Sequence, residues 1–192
     1  VAGGAGWATK PMISAMLKTN IASAGTMLPR SFASLALPLL LAGALAAGLP
    51  AAGAQAQSIE RIGDFSDWSA FKYLEDGKPI CFMASEPTKA EGNYTKRGKI
   101  HAMVTHRPEE NRVDEVSIQA GYSYQDNAPV EVQIGTTSMR LFTEGESAWT
   151  VDKDSDKKLV QAMIKGSTMV VQGTSSRGTN TKDTYSLSGF TR

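Results

Sequence analysis

Glu115-Val116-Ser117-Ile118-Gln119-Ala120-Gly121-Tyr122-Ser123-Tyr124 alternates apolar and polar side chains along most of its length. Val116, Ile118, Ala120, Tyr122 and Tyr124 fall on one face of an extended chain. Glu115, Ser117, Gln119 and Ser123 fall on the other. A period of two belongs to a β-strand, whose successive side chains point to opposite sides of a sheet. One apolar and one polar face mark a half-buried strand of the kind found in antiparallel sheets.

The same period recurs on both sides of that stretch. Downstream, Val130, Val132 and Ile134 alternate with Glu131 and Gln133. Gly135 then marks a turn, and Met139 and Leu141 lead into Phe142. Upstream, Ile100, Ala102, Val104 and His106 form one strand face, and Ile80, Phe82 and Ala84 form another. Asp76-Gly77 before Pro79 is turn chemistry between Leu74 and Ile80. Towards the C-terminus, Met169 with Val171 and Tyr185 with Leu187 supply matching inward faces. They predict antiparallel pairing of Ser167–Gly173 with Asp183–Phe190. The Ser/Thr/Gly-rich segment Thr174 to Lys182 reads as a long loop between them.

One helix, about residues 155–165, interrupts the strands. Asp154 or Ser155 can cap it, Asp156 suits its first turn, and Leu159, Val160, Met163 and Ile164 make a docking stripe. Lys165 suits the C-terminal dipole, and Gly166 is a ready left-handed stop. The expected fold is mainly β: an antiparallel β-sandwich or partly open barrel with this one helix packed on it.

The N-terminal 56 residues have a different composition. They hold no Asp or Glu, and their charged side chains are Lys10, Lys18 and Arg30. Met27-Leu28-Pro29-Arg30 is a short basic start, Leu35 to Leu49 an uncharged Leu/Ala-rich run, and Ala54-Gln55-Ala56 a small-x-small site. These are the three parts of a secretory signal peptide cleaved before Gln57. An uncleaved membrane anchor is the alternative, since Ser31 to Ala56 carries no charge. The expected division is 1–26, an over-extended start before Met27 (or Met16), with a longer natural n-region as the alternative; 27–56, the signal peptide; and 57–192, one β-rich domain. That domain carries 17 basic against 19 acidic side chains. So even a balance lacks the concentrated basic face that nucleic acid requires.

No motif for catalysis, metal or cofactor stands up. Gly173-Thr174-Ser175-Ser176-Arg177-Gly178 has the glycine spacing of a phosphate loop but lacks the Lys and hydroxyl that follow the second glycine. Asp152-Lys153-Asp154-Ser155-Asp156 opens like a calcium loop, yet Lys157 and Met163 stand where Gly and Glu are needed. His101 and His106 lie five apart on a strand and point to opposite faces, so they cannot share a metal. His101 reads as solvated and His106 as a hydrogen-bonded residue at the core edge. A lone Cys81 cannot staple its own chain and reads as a buried, unpaired thiol, with an intermolecular disulfide as the alternative. Two arginines remain as candidate binding residues: Arg177 in the C-terminal loop and Arg107 at a strand end before Pro108.

The domain resembles the invasion-associated locus B family of exported alphaproteobacterial proteins. The resemblance is carried by Thr105-His106-Arg107-Pro108, Glu115-Val116-Ser117 with Gly121-Tyr122, and Leu141-Phe142-Thr143 with Ala148-Trp149. It is densest from Met163 through Lys165-Gly166-Ser167-Thr168 and Gly173 to Thr179, then from Asp183 to Phe190, with Gly63 to Trp68 resembling the family's opening. Many members carry an early Cys that could pair near position 81; here Ser69, Ala70, Phe71 and Lys72 occupy that region. The resemblance implies an envelope protein, linked in pathogenic members to host-cell entry, and brings no catalytic residues. The expected function is a non-enzymatic interaction module with an envelope or host-surface partner. The alternative is a periplasmic hydrolase using His106 with a Ser or Asp partner. N-terminal sequencing of the exported protein should begin at or within a few residues of Gln57; an intact N-terminus in the membrane fraction would favour the anchor instead.

Overall fold

The computed structural model describes residues 58–191. The leader readings, on residues 1–56, lie outside them. Eleven strands form one open antiparallel sheet: β1 (Glu60–Phe65), β2 (Trp68–Glu75), β3 (Lys78–Ser85), β4 (Lys89–Gly92), β5 (His101–Arg107), β6 (Arg112–Gln119), β7 (Val130–Ile134), β8 (Thr137–Glu144), β9 (Ser147–Trp149), β10 (Thr168–Thr174) and β11 (Asn180–Ser186). A single helix, α1 (Lys153–Lys165), lies between β9 and β10. In space the order is β1-β2-β3-β5-β6-β9-β8-β7-β10-β11-β4.

The sheet curls until its far parts meet. The Trp68 indole N–H, at the start of β2, donates to the Ser186 carbonyl at the end of β11 (3.0 Å), and the Asp67 N–H donates to the Ser188 carbonyl (3.2 Å). Trp68 also meets the Phe190 ring edge-on at 4.9 Å. The enclosed core draws Ala102 and Val104 from β5, Val116 and Ile118 from β6, Val130 and Val132 from β7, and Met169 and Tyr185 from the last hairpin. This is the expected partly open barrel with one helix.

Local chemistry explains the turns. Asp76 (φ 51°) and Gly77 (φ 79°) form the two-residue link of the β2–β3 hairpin, in which Glu75 pairs Lys78. Between β5 and β6 the register slips, so that Val113 and Asp114 together face His106, and Asp114 bulges with φ 61°. The β6 alternation holds through Gln119 and then breaks. Gly121 turns at φ 72°, and a Cβ there would lie 2.6 Å from the Gly98 carbonyl oxygen. Tyr124 stays buried but reaches Ser175 only through an isolated bridge.

The helix starts earlier than its sequence predicts. Asp152 is the cap, accepting the Ser155 N–H at 2.7 Å, and this frees Asp156 to point inward. Strand β9 is three residues long and leaves part of the β6 edge uncovered. There the buried Asp156 carboxylate accepts the Val116 N–H (2.9 Å) and the Thr150 hydroxyl. Leu159, Val160 and Met163 enter the core, whereas Ile164 is exposed, which narrows the expected stripe.

Gly166 does not serve as a left-handed stop: its φ is −90° and ψ 167°, open to any residue. Its lack of a side chain serves packing. A Cβ would collide with Ile134 Cγ2 and lie 3.0 Å from the Ala162 carbonyl oxygen. An alanine at an unstrained glycine position ordinarily stabilises by about 0.4–1 kcal/mol. Gly166→Ala should instead destabilise by about 1–3 kcal/mol through overpacking, read as a lower urea midpoint. A midpoint equal to or above that of the parent chain would show that the helix end can move away.

Candidate functional site

The β10–β11 hairpin presents the most distinctive loop of the domain. Its two strands pair from Thr168↔Ser186 to Thr174↔Asn180. The antiparallel pairing matches expectation and Met169 does face Tyr185, but Val171 faces Asp183 rather than Leu187. The strands also run further than the Ser/Thr/Gly composition suggests, which cuts the loop to Ser175–Thr179. That loop is tied down. Ser175 is buried, its N–H donates to the Thr179 carbonyl (2.9 Å), and its hydroxyl accepts the Thr179 N–H (3.1 Å). The Gly178 N–H donates to the Ser175 carbonyl (2.8 Å) and the Ser176 N–H to the Ser123 carbonyl (2.7 Å). Gly178 itself sits at φ 78° with open space around it. At the tip the Arg177 side chain is exposed and makes no ion pair among the described residues.

Beneath the tip lies a polar cluster that sequence reasoning missed. Asp183, in β11, points into the core and takes the guanidinium of Arg97 in a two-pronged pair at 2.7 and 2.6 Å. Arg97 Nε donates to the Ala120 carbonyl (2.6 Å), and its guanidinium lies 4.8 Å from the Tyr122 ring centroid and 5.4 Å from that of Tyr94. Burial opposes the Arg97 charge, but the Asp183 carboxylate outweighs it and holds the Arg97 pKa above its ordinary value. The Tyr122 hydroxyl joins the Thr181 hydroxyl at 2.6 Å, and Tyr122 packs edge-on to Tyr124. Gly173 makes room for these rings, since a Cβ there would lie 2.7 Å from Tyr124 Cε1. A hydrogen-bonded base in which Arg97 and Asp183 balance each other's charge thus supports a loop whose own charge is unpaired among the described residues.

A model of the invasion associated locus B protein family matches residues 68–192, which contain most of the strands, the helix and the whole hairpin. The chain belongs to the invasion associated locus B family. Among solved structures it is similar to the crystal structure of invasion associated protein b from Bartonella henselae, at 17% identity and a TM-score of 0.46, over 67% of this chain and 88% of that one. Among curated proteins no similar sequence is found.

The other residues singled out in this family member sit in different places. Arg107 is not presented to solvent: its side chain is 8% exposed, it pairs with Glu75, and Glu115 Oε2 lies 3.7 Å from its Nε. His106 faces Cys81 in the β3–β5 register, with Cys81 half-buried and unpaired. His106 Nδ1 accepts the Asp114 N–H at 3.1 Å, and the Asp114 carboxylate, at 3.9 Å, stands outside hydrogen-bond reach. Among the described residues His106 has no hydrogen bond to a nucleophile, and no group of three or more His, Cys, Asp or Glu side chains is placed to hold a metal. No helix among them is long and apolar enough to cross a membrane.

His101 departs from its expected solvated state. It faces Gln119 across β5–β6, and burial, with help from the Lys99 charge, pushes its pKa down to about 4. The unfolded-chain value is about 6.5. Above that pH the imidazole is neutral in both states and has no effect on stability. Below it the unfolded chain binds a proton that the folded one refuses until about pH 4. Stability should therefore fall as pH drops from about 6.5 to about 4, by up to about 3 kcal/mol. Urea titrations across that window should show a shallower decline for His101→Gln. Identical slopes would mean that His101 protonates while folded.

Proposed function

We propose that this protein is an exported, non-enzymatic interaction module of the cell envelope, and that the Ser175–Thr179 tip is its contact element. The observation that carries the reading is the exposed Arg177 guanidinium, which has no ion pair among the described residues and sits on a loop fixed by four hydrogen bonds. A planar fork of N–H donors on a rigid loop can take a carboxylate, a phosphate or a sugar hydroxyl pair with little ordering cost on the protein side. The leader composition supports export, with removal of residues before Gln57 leaving 57–192 as the working domain. Family membership supports an envelope setting, and the Bartonella henselae protein's association with invasion suggests a host-surface partner as one destination. Arg107, paired with Glu75 and close to Glu115, supports the β5–β6 corner rather than the contact.

The test uses envelope extract as the source of partner and the purified protein as bait. Arg177→Ala should lower capture of the specific partner several-fold while leaving unfolding stability within about 0.5 kcal/mol, as for an exposed surface site. Capture equal to that of the parent chain would remove the tip from the interface. A loss of several kcal/mol would instead make Arg177 a structural residue.

A further inference from the structure

A second polar surface lies elsewhere on the domain, beside the helix. Asp154, Lys157, Lys158, Gln161 and Lys165 recur at helical spacing on one side of α1 and form one wall of a groove of about 720 Å3. The facing wall is Thr137, Ser138 and Met139, at the start of β8, with Ala162 in the floor. The three lysines are exposed and make no ion pair among the described residues, so the groove carries three positive charges against one carboxylate. That local excess stands in a domain whose 17 basic and 19 acidic side chains nearly balance.

We propose that this groove binds an acidic polysaccharide. Lys157 and Lys165 are eight residues apart, about 12 Å along the helix axis. A chain of regularly spaced carboxylates or sulfates can engage both ends of that row at once. Gln161, Ser138 and Thr137 place neutral hydrogen-bonding groups between the charges, as sugar hydroxyls require, and Met139 with Ala162 offers an apolar floor for sugar C–H faces. Nucleic acid fits less well, because among the described residues no aromatic side chain lines the groove for bases to stack on. A membrane surface fits less well too, because among the described residues no large exposed apolar side chain lines it to enter lipid. The site is separate from the Arg177 tip: Lys165 precedes β10 and the tip follows it, so a strand's length of about 20 Å lies between them.

The probe is a heparin dodecasaccharide titrated against the full chain in low-salt buffer, with neutral dextran and single-stranded DNA of matched charge alongside. Binding of heparin over dextran is expected, weakening as salt rises. Lys157→Gln/Lys158→Gln/Lys165→Gln should weaken it about tenfold, the sum of three exposed ionic contacts. Glutamine keeps the helix propensity of lysine, and an unchanged melting temperature verifies folding. Should the triple variant melt lower, Lys165→Gln alone should still weaken binding. Lys182→Gln, which removes an exposed charge on β11, should not. The proposal is overturned by equal binding of the triple variant, by dextran binding as well as heparin, by no heparin binding at low salt, or by tighter binding of the DNA.

Discussion

The buried pair between Arg97 and Asp183 is the constraint on which the arrangement of this domain turns. Both side chains are almost wholly removed from water, at 4% and 3% exposure. Asp183 occupies an inward position of β11 that an apolar residue would ordinarily fill. Its charge can stay there only if a cation reaches it, and the cation comes from the connection between β4 and β5. Arg97 then uses its remaining reach on the Ala120 carbonyl, where β6 has just ended. Three segments distant in sequence are thereby held at one point. Removing one partner of such a pair leaves a buried charge and costs about 3–5 kcal/mol, whereas two well-packed apolar side chains could be as stable. What the pair adds over apolar packing is selectivity: the loop before β5 has one place where its arginine is satisfied.

The sequence was most legible where one side chain per two residues decides the outcome. In β7, Val130, Val132 and Ile134 are buried and Glu131 and Gln133 exposed, as the alternation requires. The Asp76-Gly77 turn was legible because local chemistry sets it, and the antiparallel pairing of the final two strands was legible too, though not its register or its loop length. Reading failed where a distant contact overrode the local pattern. The alternation through Tyr124 is real on the page, but Gly121 packs on Gly98 and the strand stops before it. The helix cap could be any of several neighbouring polar residues, and only burial of Asp156 beside Val116 selects Asp152. Short strands such as β4 and β9 carry too few residues for a period to show.

The candidate site was legible in its residues but not in its support. Arg177 among glycines and hydroxyls stood out as a loop, and it is one. Arg107 looked equivalent at a strand end; only the register that brings Glu75 and Glu115 beside it separates a structural arginine from an available one. His101 and His106 differ in the same way, one half-buried opposite Gln119 and the other set against the bulge at Asp114. The base of the tip could not be read at all, because Asp183 in sequence is simply a charged residue in a strand. Its inward direction follows from pairing with Val171, a fact of register rather than composition.

The link from Trp68 to Ser186 joins residues 118 positions apart, and it sets when this domain can become complete. Contacts of such long range demand that a large loop be closed before any gain is realised, which makes folding slow compared with that of helical domains. Until β11 is available, β2 has no indole acceptor and Asp183 cannot meet Arg97. A partly synthesised chain can form local hairpins such as β2–β3 but lacks the contact that brings the far parts of the sheet together. Completion of the fold is thereby postponed to the moment when the last strand arrives.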